Sequence, residues 1–180
     1  TNTTLEGEVF EIIFNDIDAK KVDKSKNADN VLASAVNFYG ADVTTEDVET
    51  FYGQLESSDK PLSYGLNSML VKENGVLKER VYKSGGLYGS AIDEIVKWLE
   101  KAKEVSENEA QGNALGLLID YYNTGDLQIW DDYNVAWTAA TDGNVDYINS
   151  FIEVYNDPSG YRGSYETIVQ INDFDMSQKM

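Results

Sequence analysis

The sequence predicts an α+β fold in which several helices pack on a small mixed or antiparallel sheet. Apolar residues recur at helical spacing in several stretches, Asn74-Gly75 separates two β-prone runs, and residues 145–171 alternate in the manner of strands on both sides of a proline-glycine turn. With 42% hydrophobic content, 180 residues are enough for one core, read as a single domain or fragment.

The elements follow in chain order. Thr3 and Glu6 have the spacing of a capping box, and Leu5, Val9, Ile12 and Ile13 share the face of the helix it would open. Gly7 weakens that helix. In the polar segment 15–30, Asp23, Ser25, Asn27 and Asp29 have the alternate spacing of a calcium loop. Ala28 replaces its turn glycine and Ser34 its bidentate glutamate, so a solvated loop is expected. Thr44 and Asp47 form a second capping box before Val48, Phe51, Tyr52 and Leu55, an amphipathic helix. Residues 56–61 read as loop. Residues 66–83 read as a hairpin turning at Asn74-Gly75 in a type I′ turn.

Residues 84–90 lack the endings of phosphate-binding glycine loops and read as a flexible connection. Ser90 and Asp93 are expected to cap the next helix, whose stripe is Ile92, Ile95, Val96 and Leu99. Another helix runs from about 109 to 123, with Ala110, Ala114, Leu117, Leu118 and Tyr121 on one face. Gly125 stops it and Asp126 starts the next. Trp130, Tyr133, Ala136, Trp137 and Ala140 then share a face that reads as core rather than as a sugar platform. Asp142-Gly143-Asn144 turns the chain into the final hairpin.

Charge and residue usage narrow the chemistry. The formal net charge is −18, from 32 acidic and 14 basic residues. Such a field repels phosphate backbones and suits cationic ligands, so nucleic acid is not an expected partner. No apolar run approaches the length of a membrane span. The start at Thr1 without methionine reads as a piece of something longer, or else as a processed chain. Missing cysteines leave the compartment open, with the cytoplasm as the default. Histidine is absent too, which removes the usual general base and the commonest zinc ligand. Paired acids such as Asp131-Asp132 keep a carboxylate-based glycoside hydrolase among the alternatives, though nothing singles out one pair.

Residues 145–171 are the least ordinary stretch. Strict alternation puts Ile148, Ile152 and Val154 on one face, and Phe151, Glu153 and Tyr155 on the other. Ile152 and Val154 are expected to be buried. Residues 156–160 read as a turn, and a second strand carries Tyr165, Thr167, Val169 and Ile171 on one side. A carboxylate between two aromatics suits either an exposed sheet edge or a binding face.

The run Phe151-Ile152-Glu153-x-Tyr155-x-Asp157-Pro158-x-Gly160-x-Arg162-Gly163-x-x-Glu166 resembles the signature of dipeptidyl-peptidase III, the M49 zinc exopeptidases. IDYYNTGDLQIWDDYNVAW and NDIDAKKVDKS are similar to the bacterial branch of that family. The resemblance implies a two-lobed peptidase, with zinc in a largely helical lobe and peptide substrate laid as an added strand on a β-core. Neither the zinc motif, His-Glu-x-x-Gly-His, nor the second glutamate motif occurs here. The chain is therefore expected to be the substrate-binding portion, partnered by the zinc-bearing lobe, inactive alone and holding no metal. In that reading Glu153 binds the peptide ammonium, and Tyr155 both contacts substrate and donates to the developing oxyanion. Arg162 and Glu166 are expected to brace the hairpin. The alternative is a non-catalytic binding domain of the same architecture.

Overall fold

The computed structural model describes residues 3–14, 21–26, 28–55 and 63–179, the first four by their backbone alone. The Thr3–Glu6 capping box, Asn27 and the 56–61 loop lie outside the described residues. The elements are α1 (Thr3–Ile13), α2 (Asn30–Ala33), α3 (Thr45–Gly53), β1 (Ser68–Glu73), β2 (Val76–Val81), α4 (Gly89–Glu104), α5 (Glu109–Thr124), α6 (Leu127–Ala139), β3 (Val145–Glu153), β4 (Ser164–Ile171) and α7 (Phe174–Ser177). The α+β class is as expected, but the sheet is divided. β1 pairs with β2 and β3 with β4, each pair an antiparallel ribbon. On the other edge of β1, Tyr39 makes a parallel bridge to Leu70.

Local chemistry explains most boundaries. Thr44 caps α3 by accepting from the Asp47 amide, and the Asp47 carboxylate accepts from Thr44 in return. Asn74 and Gly75 both take positive φ, 53° and 79°, as a type I′ turn demands. Gly125 closes α5 at φ 73°, and the Asp126 side chain caps α6.

Three local expectations are overturned. The N-cap of α4 is Tyr88, at φ 61° and without a side-chain cap, instead of Ser90; Asp93 accepts from Ser84 Oγ at 2.6 Å. Residues 84–90 are tied by main-chain bonds from Ser84 to Tyr122 and from Leu87 to Val81, so this connection has a defined path. Asp29 is no solvated loop residue, since its carboxylate caps α2 and accepts from the Thr45 amide and hydroxyl.

Two cores result. The larger gathers Ile92, Val96 and Leu99 of α4, Ala114, Leu115, Leu118, Tyr121 and Tyr122 of α5, and Trp130 and Tyr133 of α6, with Leu66, Tyr82 and Phe151. The aromatic face of α6 is thus core. The buried stripe of α5 is broader than its periodicity implies: Leu115, Ile119 and Tyr122 join it, while Ala110 is exposed. The smaller core holds Val31, Tyr39, Val43, Val48, Tyr52 and Leu70, with Tyr161 packed against it. Residues 151–161 therefore run from one core to the other. On α1, by contrast, Val9, Ile12 and Ile13 are exposed.

The Asp47 cap also carries an ion pair, 2.7 Å from Lys72 Nζ. That bond and those from Thr44 hold the carboxyl down to about 2, against an ordinary 3.8. A depressed carboxyl contributes stability that is complete above its unfolded value and lost as pH falls through its folded one. Asp47→Asn is expected to lower the melting temperature at neutral pH and to flatten its acid fall between about pH 4 and pH 2. Parallel acid slopes for variant and wild type would contradict this account.

Candidate functional site

Strand β3 delivers the candidate residues, and an irregularity in it decides where they point. Phe151 pairs with Tyr165, yet Glu153 pairs with Ser164, so Ile152 is the extra residue of a β-bulge. Cross-strand partners share a face, while neighbours on one strand do not. Glu153 consequently lies on the face of Ser164 and Glu166, opposite Phe151. The expectation that Phe151, Glu153 and Tyr155 share a face is overturned by this one added residue. Phe151 is buried in the larger core, its ring 4.9 Å from that of Tyr82. Ile152 packs partly against the same core, whereas Val154 is 36% exposed instead of buried.

Beyond the bulge the strand ends. Glu153 is half-buried at its last position, and Tyr155 is 61% exposed in the turn that follows. The Asp157 amide donates to the Val154 carbonyl at 3.0 Å, making Tyr155 and Asn156 the central residues of a β-turn. Asn156 Nδ2 ties that turn to Ser164 Oγ at 2.9 Å.

The turn is organised by Asp157, which is fully buried. Its carboxylate accepts from the amides of Ser159 (3.0 Å), Tyr161 (2.8 Å) and Arg162 (2.8 Å). The Tyr39 hydroxyl, from the smaller core, donates to both carboxylate oxygens at 2.8 Å. Arg162 is also fully buried, its guanidinium 5.1 Å from the Tyr39 ring centre and 4.9 Å from that of Tyr52. Nη1 donates to the Gly65 carbonyl at 2.9 Å and Nη2 to the Tyr52 hydroxyl, which itself donates to Glu79. Burial, and then the Asp157 charge, push the Tyr39 hydroxyl far above its ordinary value. Burial likewise pushes Tyr52 up, with Arg162 partly offsetting it. Both phenols therefore stay protonated and serve as donors.

Two glycines make room for this arrangement. Gly65 sits at φ +69°, where a Cβ would fall 1.8 Å from Arg162 Nη1. Gly163 lies against the bulge itself, where a Cβ would fall 2.6 Å from the Phe151 carbonyl carbon. Its amide donates to the Leu66 carbonyl at 2.8 Å. The bracing expected of Arg162 thus operates by burial between two aromatic rings. Glu166 is half-buried on β4, opposite Ser150. The sequence offers no sign of Tyr39 or Gly65, and of Tyr52 only its place on the α3 face, since they lie 97 to 118 residues from the groups they hold. A groove of about 250 Å³ between α4, α5 and the ribbon is lined from the Val145 end of β3, so Glu153 and Tyr155 stand outside it.

The model of peptidase family M49 matches residues 19–180. The chain belongs to that family. Human and rat dipeptidyl peptidase 3 are 32% and 31% identical to it over 94 residues, 52% of this chain and 13% of theirs. A structure of DPP III from Caldithrix abyssi superposes with a TM-score of 0.65 at 21% identity, covering 98% of this chain and 33% of that one. DPP III from Corallococcus sp. strain EGB gives 0.62 at 22% identity, over 80% and 26%. These two likenesses bear on the fold. The chain spans about an eighth of the curated relatives' length and up to a third of the solved ones'.

The zinc implied by the M49 resemblance does not fit the residues present. The chain has no histidine or cysteine, and among the described residues no three acidic groups converge as a metal site would need. Carboxylates alone suit harder ions.

The glycine geometry is directly testable. Gly65→Ala adds a methyl group at a left-handed position, against a guanidinium with no room to retreat. Strain and overpacking together are expected to cost about 2–4 kcal/mol in urea unfolding. An unchanged unfolding midpoint would contradict the packing described.

Proposed function

We propose that this chain is the substrate-binding portion of a dipeptidyl-peptidase III-like zinc exopeptidase, which releases dipeptides from the N-terminus of short peptides. The observation that carries this reading is the 151–166 run, in a chain of the M49 family. It presents a half-buried carboxylate at the end of β3 and an exposed phenol on the following turn, which Asp157 anchors to the smaller core. The zinc belongs to the other lobe of the parent protein, and this chain contributes no ligand to it.

The chemistry follows from what each group can do. An enzyme that removes dipeptides must recognise a free ammonium. Glu153, partly withdrawn from water, accepts its charge-assisted hydrogen bonds. The net charge of −18 adds a field of the right sign. β4 pairs only with β3 among the described strands, and its other edge offers main-chain groups to an extended peptide. Tyr155 donates its hydroxyl to the scissile carbonyl oxygen as charge develops there.

The two residues should leave different kinetic signatures in the intact peptidase. Glu153→Ala removes a counter-charge from a bound ammonium. A loss of about 2–5 kcal/mol is expected, mostly in KM, if the contact persists unchanged through the reaction. Tyr155→Phe keeps the ring and removes a donor needed in the transition state, so kcat should fall roughly 10²–10³-fold with KM little altered. Steady-state kinetics on a dipeptide joined to a chromogenic amine measures both. Wild-type behaviour of the two variants would reduce these residues to an exposed strand end.

The 180-residue chain alone, supplied with zinc, is expected to release no dipeptide from such a substrate, because it lacks histidine and cysteine ligands. Zinc-dependent turnover by the purified chain would overturn the division of labour between the lobes.

A further inference from the structure

We propose that Tyr39 is a positioning residue for Tyr155, acting across the molecule through the Asp157 carboxylate. The inference rests on the reading above, in which the Tyr155 hydroxyl serves the developing oxyanion.

The path is short and each link is a defined bond. Tyr39 is held on β1 by main-chain bonds from Gly40 to the Leu70 carbonyl (2.8 Å) and from Leu70 to the Phe38 carbonyl (3.1 Å). Its hydroxyl reaches both oxygens of Asp157. The Asp157 amide closes the β-turn on Val154, and Tyr155 is the first central residue of that turn. Tyr155 is itself exposed, so its own packing does little to fix its direction; the turn backbone fixes it instead.

Tyr39 brings in something the turn cannot supply for itself. The three amides on the Asp157 carboxylate all come from residues 159–162, so they fix the shape of the loop but not its place on the protein. The Tyr39 hydroxyl refers the carboxylate to the β1 layer. Arg162 provides a second attachment through Gly65 and Tyr52, but it leaves the loop beyond Asp157. Asn156 ties the turn to its own ribbon at Ser164; Tyr39 is the side-chain anchor that ties its closing residue to β1.

Tyr39→Phe removes the hydroxyl and keeps the ring against Arg162. In the intact peptidase kcat is expected to fall roughly tenfold with KM little changed, as a displaced catalytic group costs rate before it costs binding. A buried hydroxyl removed elsewhere in the fold, Tyr121→Phe, is expected to leave kcat at the wild-type value. The decisive measurement is a double-mutant cycle. If Tyr39 acts through Tyr155, adding Tyr39→Phe to Tyr155→Phe lowers kcat no further than Tyr155→Phe alone. Losses that multiply, a wild-type kcat for Tyr39→Phe, or an equal fall for Tyr121→Phe would each overturn the proposal. Should Tyr39→Phe fail to fold, Asp157→Asn replaces it in the same cycle, with the same non-additive loss expected and a wild-type kcat overturning the proposal. A wild-type kcat for Tyr155→Phe would instead refute the oxyanion role itself, and the positioning proposal with it.

Discussion

A buried carboxylate, Asp157, ties the last ribbon to the smaller core. Withdrawing an ion from water costs several kcal/mol, and such a group persists only where hydrogen bonds replace its hydration. Asp157 meets that condition with three amides of its own loop and a phenol from the opposite layer. Arg162, five residues on, meets it with a carbonyl, a phenol and two aromatic faces. Neither charge could be buried without the other elements already in place. The network therefore fixes the last ribbon relative to α3 and the first one.

The bulge at Ile152 works within that frame. Phe151 must enter the larger core, and strict alternation would have carried Glu153 inward on the same face. The additional residue turns the carboxylate to the other face while leaving the β3–β4 register intact from Val145 to Phe151. Gly163 permits it, because the returning chain crosses the bulge backbone where no Cβ fits. Core packing and site presentation are thus separated within three consecutive residues.

What the sequence made legible was short-range chemistry. The Asn74-Gly75 turn, the Thr44–Asp47 box, the Gly125 stop and the helices between 89 and 139 each depend on contacts a few residues apart. The remainder depends on tertiary structure. A period of two has no means of registering an inserted residue, so alternation alone puts Glu153 on the wrong face. Tyr88 starts α4 from a left-handed conformation that the loop's own bonds impose. Asp157 and Arg162 carry charge, and charge by default belongs on the surface. Their burial is visible only once Tyr39 and Tyr52 have been brought across the chain.

That long reach shapes how the protein is made. Tyr39 and Asp157 are separated by 118 residues, and Tyr52 and Arg162 by 110. Closing so large a loop costs only about 0.6 kcal/mol more than closing one half as long, so the penalty at equilibrium is small. The penalty in time is larger. At roughly 5–20 residues per second of synthesis, the smaller core leaves the ribosome on the order of ten seconds before its acidic partner exists. During that interval Tyr52 lacks the Tyr161 ring that later stacks on it at the edge of the smaller core. The helices α4 to α6, built from local contacts, have time to assemble first. The nascent chain thus acquires its helical core early, and the anchored turn is among the last features to form.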